Sequence, residues 1–201
     1  FFDKRFVLIH FSTAQNRGDL EQILALQQRN LPNNISNEEA KSQGFVTVHH
    51  DLALLTAMNQ DYQHVIAKAD GVVIGYALVM LPAFGNKIPV LRSLFEKIET
   101  LTYNGQLLKK TPYFVMGQVC VDKAYRGKGI FAGLYQKMKK AMSPYFACII
   151  TEIATRNTRS MRAHEKVGFE TIHLHQDELE EWAIVGWAIS DDERVSASKF
   201  V

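Results

Sequence analysis

The residues best suited to chemistry fall in one run, Val119-Cys120-Val121-Asp122-Lys123-Ala124-Tyr125-Arg126-Gly127-Lys128-Gly129-Ile130-Phe131. An apolar strand pattern ends at Val121, and a short polar loop follows. Helical periodicity then begins among the glycines and runs through Ile130, Leu134 and Met138. The first amides of a helix have no partner inside it and carry the positive end of its dipole. Gly127 and Gly129 lack a Cβ, so an anion can approach the backbone closely there. Lys123, Arg126 and Lys128 add positive charge around the same turn. A diphosphate is the natural guest, and the bland alternative is a tight strand-to-helix turn with solvated charges. A mononucleotide P-loop needs a longer glycine loop ending in Lys-Ser/Thr, which is absent. A dinucleotide fingerprint needs a third glycine and an acidic residue on the next strand, yet Phe131 and Ala132 stand here.

A second segment, Asn157-Thr158-Arg159-Ser160-Met161-Arg162-Ala163-His164-Glu165-Lys166-Val167-Gly168-Phe169, follows at a fixed remove. Together the two resemble the GCN5-related N-acetyltransferases, the GNAT superfamily. That family carries Arg/Gln-x-x-Gly-x-Gly/Ala after a strand, often preceded by Val-x-Pro-x-Tyr. It often continues with Asn-x-x-Ala-x-x-x-Tyr-x-Lys-x-Gly-Phe. Here Arg126, Gly127, Lys128, Gly129 and Ile130 follow the first pattern, while Lys123 replaces Pro and Phe131 replaces Gly or Ala. In the second, Asn157, Lys166, Gly168 and Phe169 match, while Ser160 replaces Ala and His164 replaces Tyr. The resemblance is carried by residues 113–189, and over the first third of the chain by the order of elements alone.

The resemblance implies an acyl-CoA-dependent N-acetyltransferase in which an amine attacks the thioester of acetyl-CoA directly, in a ternary complex. It implies an α/β fold with a mixed, mostly antiparallel sheet of about seven strands, splayed between the fourth and fifth. Cofactor contacts would come from Val119, Cys120, Val121, Arg126, Gly127, Lys128, Gly129, Ile130 and Phe131, with Asn157 and Lys166 from the second segment. His164 would stand where the family's Tyr protonates the leaving thiolate, a role imidazole can fill. Glu152, His49 and His50 are candidates for the base that deprotonates the amine. The acceptor would be an amine on a small molecule or a peptide. No metal is called for, and a homodimer is left open.

The elements that must position these groups can be read along the chain. Residues 5–11 read as a first strand, and Asp19 as the N-cap of a helix through Leu20, Ile23, Leu24 and Leu26. Ser36 or Asn37 suggests a cap for a short helix, and Asp51 for another through Leu54, Leu55 and Met58. Residues 63–69 and 72–81 flank Asp70-Gly71, a strong hairpin signal. Residues 82–112 read as a long insert with one helix through Leu91, Leu94, Phe95 and Ile98. Phe84, Leu94, Phe95 and Tyr103 either line an apolar acceptor site or cap the domain's own core. Strands are expected at 113–121 and 147–154, helices at 127–142 and 158–167, and Gly168 as a helix stop. A final strand pair is expected at 169–175 and 182–189, with a loose tail from 190.

The 201 residues suit one domain, and 47% hydrophobic content argues against disorder. A net charge of +2 gives no broad basic field for nucleic acid. The longest apolar run, residues 72–84, is short for a bilayer and is broken by Gly75 and Pro82, so no membrane association is expected. The start of the chain has no apolar signal-peptide core. Cys120 and Cys148 lie in strand-like runs and read as small packing hydrophobes in a reduced, cytoplasmic setting. Two other functions share the pattern: a non-catalytic acyl-CoA-binding or regulatory domain, and a protein-interaction module.

Overall fold

Alternating and continuous apolar runs form the strands of a single sheet in the computed structural model, which describes residues 7–31, 34, 49–86 and 91–190. The strands are β1 (Ile9–Thr13), β2 (Val65–Ala69), β3 (Val72–Met80), β6 (Tyr113–Val121), β7 (Cys148–Ala154), β8 (Glu170–Gln176) and β9 (Glu181–Ala188). Two further short strands, β4 (Thr102–Tyr103) and β5 (Gln106–Leu107), pair with each other. The helices are α1 (Arg17–Arg29), α2 (Leu52–Met58), α3 (Arg92–Glu99), α4 (Ile130–Met142) and α5 (Thr158–Val167). The seven-stranded order is β1-β2-β3-β6-β7-β9-β8. Antiparallel pairings join β1 to β2, β2 to β3, β7 to β9 and β8 to β9, while β6 and β7 run parallel. This is the mixed, mostly antiparallel sheet expected from the sequence.

The chain divides into two units, whose described parts are 7–31, 34, 49–78 and 118–138 in the first, and 79–86, 91–117 and 139–190 in the second. In the first unit, Leu20, Ile23 and Leu26 of α1 are buried, as are Leu55 and Met58 of α2. The N-cap of α1 is Asn16, whose Oδ1 accepts from Asp19 N at 3.0 Å. Asp19, expected to be the cap, lies one turn inside and is 3% exposed, with Lys68 Nζ at 2.6 Å and Gln15 N at 2.9 Å on its carboxylate. Both residue types suit a cap, and the buried lysine contact is what separates them. Asp51 caps α2 as expected, accepting from Leu54 N at 2.7 Å. The Asp70-Gly71 turn has both residues at positive φ, 49° and 80°, as a tight hairpin requires.

Helix α4 lies close on β3 because Gly75 leaves room for it. A Cβ there would stand 3.0 Å from Ile130 Cγ2 and 3.3 Å from both Cys120 O and Leu134 Cδ1. Ile130, Leu134, Tyr135 and Met138 are buried along this face. That contact fixes where the first turn of α4 begins.

In the second unit, Phe114, Val115, Ile149, Ile150, Ile153, Phe169, Ala183 and Ile184 form the core, with Phe114 edge-on to Phe146 at 5.0 Å. Helix α5 starts at Asn157, which accepts from Ser160 N at 3.1 Å, and stops at Gly168, φ 122°. The 82–112 segment contains α3 and, in addition, the β4–β5 hairpin, turned by Asn104 and Gly105 at φ 49° and 77°. Phe84, Leu94 and Phe95 are buried, and Tyr103 is half-buried with its hydroxyl donating to Gly186 O at 3.3 Å. The short helix suggested after Ser36 and the tail beyond residue 190 lie outside the described residues.

Candidate functional site

Strand β6 hands over to α4 through a single 3-10 turn, Lys123–Tyr125, capped by Asp122 Oδ1 accepting from Ala124 N at 3.0 Å. Asp122 N still donates to Ile74 O at 2.8 Å, so the strand is anchored up to the turn. Next come Gly127 and Gly129 at φ 75° and 79°, a region that L side chains adopt at a cost. A Cβ on either would meet nothing within 4 Å, and both residues are exposed. The conformation, rather than crowding, therefore requires glycine. It leaves open space over backbone amides at the start of a 13-residue helix.

The charged side chains of the turn differ in their attachments. Arg126 is half-buried; its Nε donates to Val121 O at 3.1 Å and its guanidinium to Asn30 Oδ1 at 2.8 Å. Asn30 is the C-cap of α1 and holds Leu26 O at 2.9 Å, so Arg126 ties the loop to both α1 and the end of β6. Lys128 is exposed and lies 5.1 Å from the centre of the Tyr125 ring. The Phe131 ring leans on Tyr135, one turn further along α4, at 5.0 Å.

Behind Val119 sits a buried polar chain. Tyr76 Oη donates to Gln118 Oε1 at 2.6 Å, and Gln27 Nε2 donates to the same oxygen at 2.7 Å. Gln27 also joins His50, through Nδ1 at 2.9 Å and by accepting from His50 N at 2.9 Å. Burial pushes the Tyr76 phenol well above its usual range, so it stays a donor. The chain fixes β6 beside Val119 and places His50, 2% exposed, in the core; His49 is exposed. Burial pushes the Cys120 thiol up to about 12, which leaves it a protonated packing residue.

These loop residues belong to the first unit; Glu152, Asn157, His164 and Lys166 belong to the second. Strand β6 pairs with β7 over three residues, Tyr113, Val115 and Phe114 between them, with Cys148, Ile150 and Ile149 opposite. Thr151 Oγ1 donates to Met116 O at 2.9 Å just beyond. Glu152 follows on β7, half-buried, and its Oε1 lies 2.6 Å from His175 Nε2 of β8. Burial raises the Glu152 carboxyl above its ordinary range, with His175 opposing. His164 is 2% exposed, edge-on to Phe169 at 5.1 Å, with its Nδ1 2.8 Å from Ser160 O. A carbonyl only accepts, so the ring proton sits on Nδ1. Burial brings the His164 pKa down to about 4, and the ring is neutral at pH 7. Lys166 is exposed. Among the described residues no three His, Cys, Asp or Glu side chains group to hold a metal, and no helix is long and apolar enough to cross a membrane.

A family profile described as acetyltransferase (GNAT) family matches residues 20–169, about three-quarters of the chain by length and spanning both motifs. The chain belongs to the GNAT acetyltransferase family. No functionally curated sequence matches this GNAT protein. Solved structures resemble it in fold. The ribosomal-protein-S18-alanine N-acetyltransferase of Escherichia coli superposes with TM-score 0.60 at 13% identity, covering 96% of this chain and 100% of its own. A candidate acetyltransferase of Salmonella typhimurium, solved with its cofactor acetyl-CoA, gives 0.61 at 16%, covering 94% and 99%. The ribosomal-protein-alanine N-acetyltransferase of Brucella melitensis gives 0.57 at 18%, covering 89% and 99%.

Sequence reading of this GNAT protein missed two attachments. Asn30 as the partner of Arg126 carries no local signal, since 96 residues separate them. His175 had one: His173 and His175 alternate on β8 and so share a face, their rings 6.1 Å apart.

Proposed function

We propose that the protein transfers an acetyl group from acetyl-CoA to a primary amine. The observation that carries this reading is the pair of open, positive-φ glycines at residues 127 and 129, directly before the first turn of α4. A pyrophosphate there would accept from the amides of the turn between Arg126 and Phe131, with Lys128 close by as a screening cation. By the family resemblance, backbone at Val119, Cys120 and Val121 would pair with the amide-bearing arm. The same resemblance adds Asn157, whose Oδ1 caps α5, and the exposed Lys166 as further cofactor contacts.

In the reaction, Glu152 takes a proton from the acceptor ammonium. The amine nitrogen's lone pair then forms a bond to the thioester carbonyl carbon, and the carbonyl π pair moves onto oxygen. As that pair returns, the carbon–sulfur bond breaks and the thiolate leaves. The surplus proton on the new amide nitrogen goes to the thiolate, and Glu152 releases its own to water. The products are an N-acetyl amide, coenzyme A and one proton. The thiolate's proton comes from nitrogen here because His164 is neutral and holds its proton toward Ser160 O.

That same burial of His164 favours a second reading, binding of acyl-CoA without turnover. Release of coenzyme A thiol, followed over a panel of primary amines, decides between them. The panel includes a peptide that begins with alanine, because two structural neighbours are named as ribosomal-protein-alanine N-acetyltransferases. Amine-dependent thiol release supports transfer. Saturable acetyl-CoA binding with no release above the amine-free rate supports the second reading.

A further inference from the structure

We propose that His175 is a positioning residue for Glu152, and that the two act as one base unit toward the acceptor nitrogen. The inference rests on the transfer reading above and names the group that orients its base. Strand pairing makes the contact: on β9, Trp182 stands opposite both Ala154 of β7 and His175 of β8. Ladder neighbours on one face lie side by side, so Glu152, two residues before Ala154, is within reach of His175 across β9. His175 Nε2 and Glu152 Oε1 meet at 2.6 Å, and the two side chains are 23% and 18% exposed. Glu152 Oε2 accepts nothing else among the described residues. One carboxylate oxygen is thus held by an imidazole N–H, and the other is left to take a proton.

A nucleophile's base that is itself oriented by a third group is a recurrent catalytic arrangement. The orienting hydrogen bond removes the freedom of the Glu152 side chain, and partial burial makes its carboxylate more basic. Loss of the His175 hydrogen bond would leave burial unopposed and move the acid limb of the rate profile, set by the Glu152 carboxyl, to higher pH. Other ionisable groups that face the pair are His173, stacked one pleat away, and Asp177 just past β8. The one ionisable residue of β9 is Glu181, paired with Gln176. Asp177 is occupied by the amides of Leu179 and Glu180 and by Trp182 Nε1 at 2.7 Å, so it supplies charge and no direct contact.

The test compares Glu152→Gln, His175→Leu, His175→Gln and the double variant Glu152→Gln/His175→Leu. The assay is thiol release with acetyl-CoA and the best amine of the panel. Glu152→Gln is expected to lower turnover about a hundredfold or more, with acetyl-CoA affinity kept. His175→Leu should lower turnover about tenfold, the worth of one hydrogen bond to a charged group, with KM for acetyl-CoA unchanged. His175→Gln keeps an N–H donor, so it should restore most turnover and hold the acid limb near its wild-type position. The double variant should be no slower than Glu152→Gln alone. Wild-type turnover in Glu152→Gln would overturn the base assignment and this inference together. An inactive Glu152→Gln beside a His175→Leu of wild-type turnover and pH profile would overturn this inference and leave the base assignment standing. Equal losses in Leu and Gln variants, with an unchanged profile, would mark His175 as structural and overturn it too. Histidine ring 15N spectra of the wild-type protein give a check that needs no acceptor: the proton is expected on His175 Nε2, and a bare Nε2 would overturn the inference.

Discussion

Arg126 shows what a single residue of a recognisable motif does beyond carrying charge. Its guanidinium joins Val121 O and Asn30 Oδ1, so it holds the shape of the loop on which any anion would rest. Arg126→Ala should weaken acetyl-CoA binding about tenfold or more, because a charge-assisted hydrogen bond is worth about 1.5–3 kcal/mol. Arg126→Lys keeps the charge and loses the fork, so it should recover little of the loss. Full recovery of affinity by lysine, measured in the same titration, would mean that charge alone mattered. The motif residues themselves were legible: Gly127, Gly129, Asn157 and Gly168 stand where their conformations or caps require them. Partners far along the chain were not, because a hydrogen bond from residue 126 to residue 30 leaves no trace in local spacing.

At the scale of elements, periodicity read well wherever one face is buried. Residues 113–121 and 158–167 fold within the bounds their patterns suggest. Caps were harder, since Asn16 and Asp19 both suit the start of α1, and only the burial of Asp19 against Lys68 chooses. The β4–β5 hairpin was missed although Asn104-Gly105 is a strong turn signal, because two-residue strands have no period to count. The seat of α4 on β3 gives a prediction about elements. Gly75→Val would push Ile130, Leu134 and the Cys120 carbonyl away from contacts of 3.0 to 3.3 Å. Overpacking of this kind costs about 1–3 kcal/mol, read as a lower urea midpoint. Because the displaced helix begins at Ile130, acetyl-CoA affinity should fall as well. A variant of unchanged midpoint and affinity would show that α4 is not held by this contact.

Two buried histidines link the whole molecule's stability to pH. Burial, the largest cause, brings the pKa of both His64 and His164 down to about 4, from 6.5 for a free imidazole. Between those values the unfolded chain binds more protons than the folded one, so stability falls as pH drops through the window. Each residue contributes about 3 kcal/mol that is fully present above pH 6.5 and lost on acidification toward pH 4. The urea midpoint should therefore fall between pH 7.5 and pH 4.5, and less steeply in His164→Leu. A midpoint that holds steady or rises would show that these rings are charged in the folded protein. Family and sheet architecture were legible from two motifs and the order of elements, because both depend on local pattern. The proposed acceptor was not, since residues 82–112 show no charge pattern that names one and Phe84, Leu94 and Phe95 serve the core.

The proposed acetyl-CoA site depends most on the open amides around Gly129, and a calorimetric titration with acetyl-CoA addresses them most directly. The wild-type protein should bind one equivalent per chain. Gly129→Ala should bind more weakly, because φ 79° strains any side chain by roughly 1 kcal/mol. Gly129→Glu should not bind measurably, since its carboxylate would occupy the phosphate's place with like charge. Undiminished affinity in Gly129→Glu, or no binding by the wild-type chain, would overturn the proposed site.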